Sequence, residues 1–210
     1  MATPLSRAVV TEPQIIDPSL EADFFFEENK GKIFTAIAVA LIALAAWIFY
    51  SYEQNQTRAE EATAFYAAKS ADDWKALILK YPGSVVAGNA QLLLADKLRD
   101  DNKIDEALAI LNDFTQKASA HPLIAQGWLS YAGTLEIKGD TAKATQTYAN
   151  IAGQFSATEA APAALSAEAR LVKKGGDAKK AREIYENIVQ RFPTSVSAEE
   201  AKQELGKLAD

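Results

Sequence analysis

The sequence predicts an all-α protein in which a single transmembrane helix is followed by an α-solenoid of about three 37-residue repeats plus capping helices. Three observations carry this. Alanine is abundant while 210 residues hold only 10 Gly and 7 Pro, and Ala is the best helix former, Gly and Pro the worst. The stretch from Ile33 to Tyr50, IFTAIAVALIALAAWIFY, has 18 residues and no charge. Further on, similar segments return at a fixed step: NKIDEALAIL from Asn102, GDTAKATQTY from Gly139 and GDAKKAREIY from Gly176, 37 apart each time.

Residues 1–30 read as a short cytoplasmic tail, largely disordered. Pro4, Pro13 and Pro18 and the lack of periodicity place residues 1–22 outside any regular element. Residues 31–52 form the spanning helix. Eighteen residues at 1.5 Å each make roughly 27 Å, close to a bilayer's hydrocarbon thickness. Trp47, Tyr50 and Tyr52 gather at one end, where amphipathic rings favour the interface. A buried core helix is the alternative, but no other element is apolar enough on all sides to surround it. A cleaved signal peptide fits poorly, because the preceding residues are acid-rich and the run ends in bulky WIFYSY. Lys30 and Lys32 precede the span, and Arg58 alone follows it before Lys69. That bias places the N-terminus inside and residues 53–210 outside. In a Gram-negative cell this makes a single-pass inner-membrane protein with a periplasmic domain.

The repeats define the remaining elements. Asn102, Gly139 and Gly176 suit the left-handed conformation that closes a helix. Asp140 and Asp177 then cap the next helix, with Lys103 as the departure. Ala107, Ala144 and Ala181 share one position; Leu111, Tyr148 and Tyr185 follow at +4, and Phe114, Ile151 and Ile188 at +7, which is one helical face. Trp74 and Leu77 continue these columns one period earlier. In the first helix of each pair, Ala95, Ala132 and Ala169 align, as do Leu98, Leu135 and Val172. Trp128 and Leu165 also align, with Gln91 in the same column. The spacing predicts helices near 53–69, 71–80, 84–100, 103–117, 122–138, 140–154, 158–174, 177–191 and 195–208. Ser70 and Asp73 form an acidic capping box before the second. The first continues the membrane helix; the last caps the array with a polar outer face.

These columns resemble the tetratricopeptide repeat over about residues 60–208. Trp128, the small residues Ala95, Ala132, Ala169, Ala107, Ala144 and Ala181, the aromatic Tyr148 and Tyr185, and Pro193 stand at the family's positions. The 37-residue period, the missing Gly beside the first small residue and the displaced closing prolines depart from it. The N-terminal half, FFFEENKGKIFTAIAVALIALAAWIFYSYEQNQ, resembles the bacterial ancillary Sec-translocon subunit family through Phe25, Phe26, Glu28, Asn29 and Lys30 or Lys32. That resemblance implies a non-enzymatic scaffold that assists the translocon and periplasmic chaperones. FPTSVSAEEAKQEL also resembles repeats of outer-membrane assembly and cell-division proteins, and a self-associating structural array is a third alternative.

The chemistry is sparse. A net charge of −6 argues against nucleic acid as a partner. The absence of cysteine excludes disulfides, thiolate metal sites, a Cys nucleophile and a lipoprotein anchor. No cofactor, metal ligand or catalytic residue is indicated. KKGGD at 173–177 lacks the spacing of a phosphate loop. His121, the single histidine, falls in the register Ser84, His121, Thr158, Ser195. It reads as the replacement of a helix cap, so serine should be tolerated there. In such arrays partners are expected in the groove lined by the first helix of each pair. Its candidates are Asn89, Leu92, Asp96 and Arg99; Gln126, Leu129, Gly133 and Glu136; and Ser166, Arg170 and Lys173. The expected charge runs from mixed and acidic to basic, with the basic end open to a peptide carboxylate or serving only to favour a helix C-terminus. Lys30, Lys32, Trp47, Tyr50 and Tyr52 are the expected membrane-interface residues.

Overall fold

The computed structural model describes residues 18–208, with side chains from residue 25. Among these residues there are nine α-helices and no strand: α1 (Pro18–Ala67), α2 (Ala71–Lys80), α3 (Val85–Asp100), α4 (Ile104–Lys117), α5 (Ile124–Lys138), α6 (Thr141–Gln154), α7 (Ala160–Lys174), α8 (Ala178–Arg191) and α9 (Val196–Lys207). The chain divides into two compact units, 1–58 and 59–210.

In the first unit α1 begins at Pro18, so the expected disordered tail is helical over 18–30; the rest of it, 1–17, lies outside the described residues. Proline suits a first helical turn, where its missing N–H has no intrahelical partner to lose. Farther along, Lys30 pairs with Glu27 at 2.7 Å and Asn29 Nδ2 donates to the Phe25 carbonyl at 3.0 Å. The apolar stretch has a mean hydropathy of 2.4, and none of its 18-residue window is buried. Burial within this chain therefore does not account for its composition. Trp47 is 65% exposed, Tyr50 60% and Tyr52 63%. The two tyrosine hydroxyls accept hydrogen bonds from Gln54 and Gln56, each at 2.7 Å, where the sequence turns polar. Lys30 and Lys32 are exposed before the stretch begins.

In the second unit successive helices pack on one another as antiparallel pairs, and their ends follow the local chemistry of the sequence. Asn102, Gly139 and Gly176 have φ of 59°, 89° and 94°. The next residue's N–H reaches back to the carbonyl of Leu98, Leu135 or Val172 at 2.7, 3.0 and 3.2 Å, closing the helix. Asp140 and Asp177 accept from the backbone N–H of Lys143 and Lys180, while Lys103 makes no side-chain cap. Ser70 and Asp73 form the reciprocal capping box of α2.

The core is the set of repeat columns. Ala95, Ala132, Ala169, Ala107, Ala144 and Ala181 are all 0% exposed. A Cβ is all these interfaces admit, so paired helices approach closely while Leu111, Tyr148, Tyr185, Phe114, Ile151 and Ile188 fill the spaces between them. The structure reveals another column 37 residues apart: Ala90, Gly127, Ala164 and Ala201, each buried. Its one glycine compensates for its one large neighbour. A Cβ on Gly127 would lie 2.2 Å from Phe114 Cε1. Where the Phe114 position holds Leu77, Ile151 or Ile188, the small-residue slot holds alanine.

Candidate functional site

The linker register fixes where each first helix starts. Ser84 and Ser195 accept from the N–H three residues on (Ala87 and Ala198, both 3.1 Å), and α3 and α9 begin at the next residue. His121 Nδ1 and Thr158 Oγ1 instead accept from the N–H two residues on, Leu123 at 3.0 Å and Ala160 at 3.3 Å. The backbone spends longer in a turn, so α5 and α7 start at Ile124 and Ala160, each two residues later than expected.

The imidazole thus performs the accepting role of the hydroxyl, and it does more. Because Leu123 N–H can only donate, Nδ1 carries the lone pair; Nε2–H is left to donate to the Val85 carbonyl at 3.0 Å. The ring packs edge-on against Phe114, 5.0 Å between centroids, and is 8% exposed. Gly88 accommodates it: a Cβ there would lie 2.5 Å from the ring. His121 joins α3 to the α4–α5 linker. The expectation that serine would be tolerated is corrected, because a hydroxymethyl group cannot reach Val85 or fill this space.

The groove candidates lie on the first helices. On α3, Asn89, Leu92 and Arg99 are half-buried and Asp96 is exposed. Asp96 and Arg99 form an ion pair within that helix. On α5, Gln126 is exposed, while Leu129, Gly133 and Glu136 are half-buried. Gly133 leaves space above the Tyr148 hydroxyl, 3.6 Å from where a Cβ would stand. On α7, Ser166, Arg170 and Lys173 come together along a hollow of about 560 Å³ that also takes Tyr185, Glu200 and Glu204.

The cations on α7 are already matched. Arg170 grips Glu136 with two parallel bonds, Nη1–Oε1 and Nη2–Oε2, both 2.7 Å. Lys173 reaches Glu204 at 2.7 Å, and Lys207 also reaches Glu204 at 2.6 Å. Ser166 donates to Glu200 at 3.4 Å. The Arg170 hydrogen bonds hold the Glu136 carboxyl below its usual range and raise the Arg170 guanidinium further. The two lysines lower Glu204 in the same way, while burial pushes the phenols of Tyr148 and Tyr185 up.

Charges therefore alternate from α5 through α7 to α9, where the sequence suggested a basic end. The missing participants are Glu200 and Glu204 on α9. The register held the signal: residue 203 stands 37 beyond Ser166, so α9 occupies the first-helix position as well as serving as a cap. The interface candidates Lys30, Lys32, Trp47, Tyr50 and Tyr52 are all on α1.

No family model matches the chain, and no curated protein matches it. Among solved structures it resembles a tetratricopeptide repeat protein from Parabacteroides merdae, with a TM-score of 0.52 and 19% identity over 75% of this chain. The chain spans 58% of that protein. Two structures of nearly identical TPR-like repeats from Podosopora anserina align with TM-scores of 0.54, at 15% and 16% identity, over 73% of this chain. They are covered to 84% and 85%. The second unit therefore has a tetratricopeptide-like fold.

Proposed function

We propose that this protein is a non-enzymatic, membrane-tethered scaffold that recruits a protein partner through the first-helix groove. The observation that carries the reading is the combination in one chain of a helix with an unburied, charge-free stretch of membrane length and a tetratricopeptide-like array. Stacked first helices offer an extended surface for a peptide segment. A tether confines even a weak binder near its target and raises its effective concentration without new contacts. The lysines before the span favour a cytoplasmic N-terminus and an exported repeat unit. The FFFEEN segment, within α1 before its apolar stretch, favours the Sec translocon and periplasmic chaperones as partners.

Because Arg170 and Lys173 are paired with Glu136 and Glu204, an acidic partner group gains little by simple attraction. It must exchange with a carboxylate already in place, so a segment carrying both charges fits better. Co-purification of the full chain in mild detergent, with crosslinking from position 129, tests the reading. Translocon subunits or chaperones crosslinked through the groove support it. Their consistent absence removes those partners, and crosslinks solely to a second copy replace recruitment with self-association.

A further inference from the structure

Glu168 breaks a repeat column. In the 37-residue register its slot is filled by Leu94 in α3, Tyr131 in α5 and Leu205 in α9, with Glu168 between the last two. The fold thus accepts apolar groups there in three other copies. Glu168 is only 8% exposed, and no hydrogen bond or ion pair among the described residues reaches its carboxylate. Burial pushes its carboxyl up, and the charge of Lys180 opposes the shift. A largely buried carboxylate without a hydrogen-bond partner costs stability, and within the fold Lys180 offsets this by its charge alone.

The side chain lines a hollow of about 630 Å³ between α6, α7 and α8. The hollow exists because this face of α6 is reduced to small residues: Gly153 stands where neighbouring repeats carry Gln116 and Gln190, and Ala149 where they carry Asn112 and Glu186. Leu165, Ala152 and Ile184 supply apolar wall. Lys180, Glu183 and Arg191 also border it, yet neither cation pairs with Glu168. Arg191 instead bonds Asn187 at 3.3 Å and covers the Phe192 ring at 5.0 Å.

We propose that this hollow is a docking site for an arginine side chain of a protein partner, with the guanidinium on Glu168 and the aliphatic stem against Leu165, Ala152 and Ile184. Both carboxylate oxygens are free to accept, which suits a planar two-pronged donor. Apolar walls leading to a charged floor match a long side chain with an apolar stem and a cationic head. The site uses Leu165 and Glu168 of α7, whereas the first-helix groove uses Ser166, Arg170 and Lys173. It therefore stands or falls separately from the groove.

The test uses the full chain in detergent micelles with labelled Ala, Leu and Ile methyl groups. A peptide with one arginine flanked by glycines is titrated in, beside the same peptide carrying citrulline, its uncharged isostere. The arginine peptide should shift the Ala152, Leu165 and Ile184 methyl signals saturably and the citrulline peptide should not. Glu168→Leu should weaken binding at least about tenfold while raising Tm by about 2–4 °C, since it restores the apolar column. No shift, an equal response to citrulline, or unchanged affinity in Glu168→Leu overturns the proposal. So does a fall in Tm, which would show the carboxylate to be held within the fold. Binding that appears only in Lys180→Ala assigns Glu168 to Lys180 and equally defeats it.

Discussion

At the scale of the residue, two side chains show how much the partner matters. His121 satisfies one backbone donor, one backbone acceptor and an apolar pocket at once. His121→Ser should therefore destabilise the repeat unit by about 1–3 kcal/mol, through a lost hydrogen bond and a void beside Phe114; urea denaturation of the full chain measures it. Unchanged stability would restore the simple cap interpretation. Glu136 has a carboxyl lowered by Arg170. Its pairing contributes stability above the ordinary carboxylate range, and that contribution is lost as pH falls through the depressed value. Glu136→Gln should thus lower Tm near neutral pH and make little difference in strong acid. Added salt should narrow the gap, because Arg170 is 54% exposed. A difference independent of pH would show that the bond's geometry matters and its charge does not.

At the scale of the element, packing is a matter of matched volumes. The Phe114 ring occupies the space where a Cβ of residue 127 would stand. Gly127→Ala should cost about 1–3 kcal/mol by overpacking, even though alanine is the better helix former. The double variant Phe114→Ile with Gly127→Ala recreates the Ile151–Ala164 and Ile188–Ala201 combinations of the later repeats. It should recover most of that loss, giving an interaction energy of about 0.5–3 kcal/mol in a double-mutant cycle. Strict additivity would place the conflict elsewhere. Helix boundaries were legible because caps and left-handed closing residues act within a few positions of themselves. The late starts of α5 and α7 were not, because the i+2 bonds of His121 and Thr158 depend on side-chain reach in a turn.

At the scale of the whole molecule, the unburied apolar stretch is the dominant feature of the first unit and the stacked columns that of the second. Leu41 lies within the stretch and is 60% exposed. Leu41→Arg should disfavour insertion by about 3 kcal/mol relative to leucine and move part of the protein from the membrane fraction to the soluble fraction after alkaline extraction. An unchanged distribution would argue against the span. In the array, Arg170→Ala with Lys173→Ala should reduce partner recovery several-fold without unfolding the chain, as judged by circular dichroism. Full recovery would reject this part of the groove.

The uncharged apolar stretch, the 37-residue spacing, most of the caps and the small-residue columns at Ala95 and Ala107 were already written in the order of residues. These depend on backbone conformation and helical periodicity, which are local and recur with each copy. Which side chains meet between helices emerged in the folded array: Arg170 with Glu136, Lys173 with Glu204, His121 with Val85, Phe114 with the bare face of Gly127, and Glu168 with no hydrogen-bond or ion-pair partner among the described residues. Those meetings depend on how each helix is rotated and how closely it approaches its neighbour. Both are set by the combined volumes of all the columns, a sum that no single stretch of sequence contains.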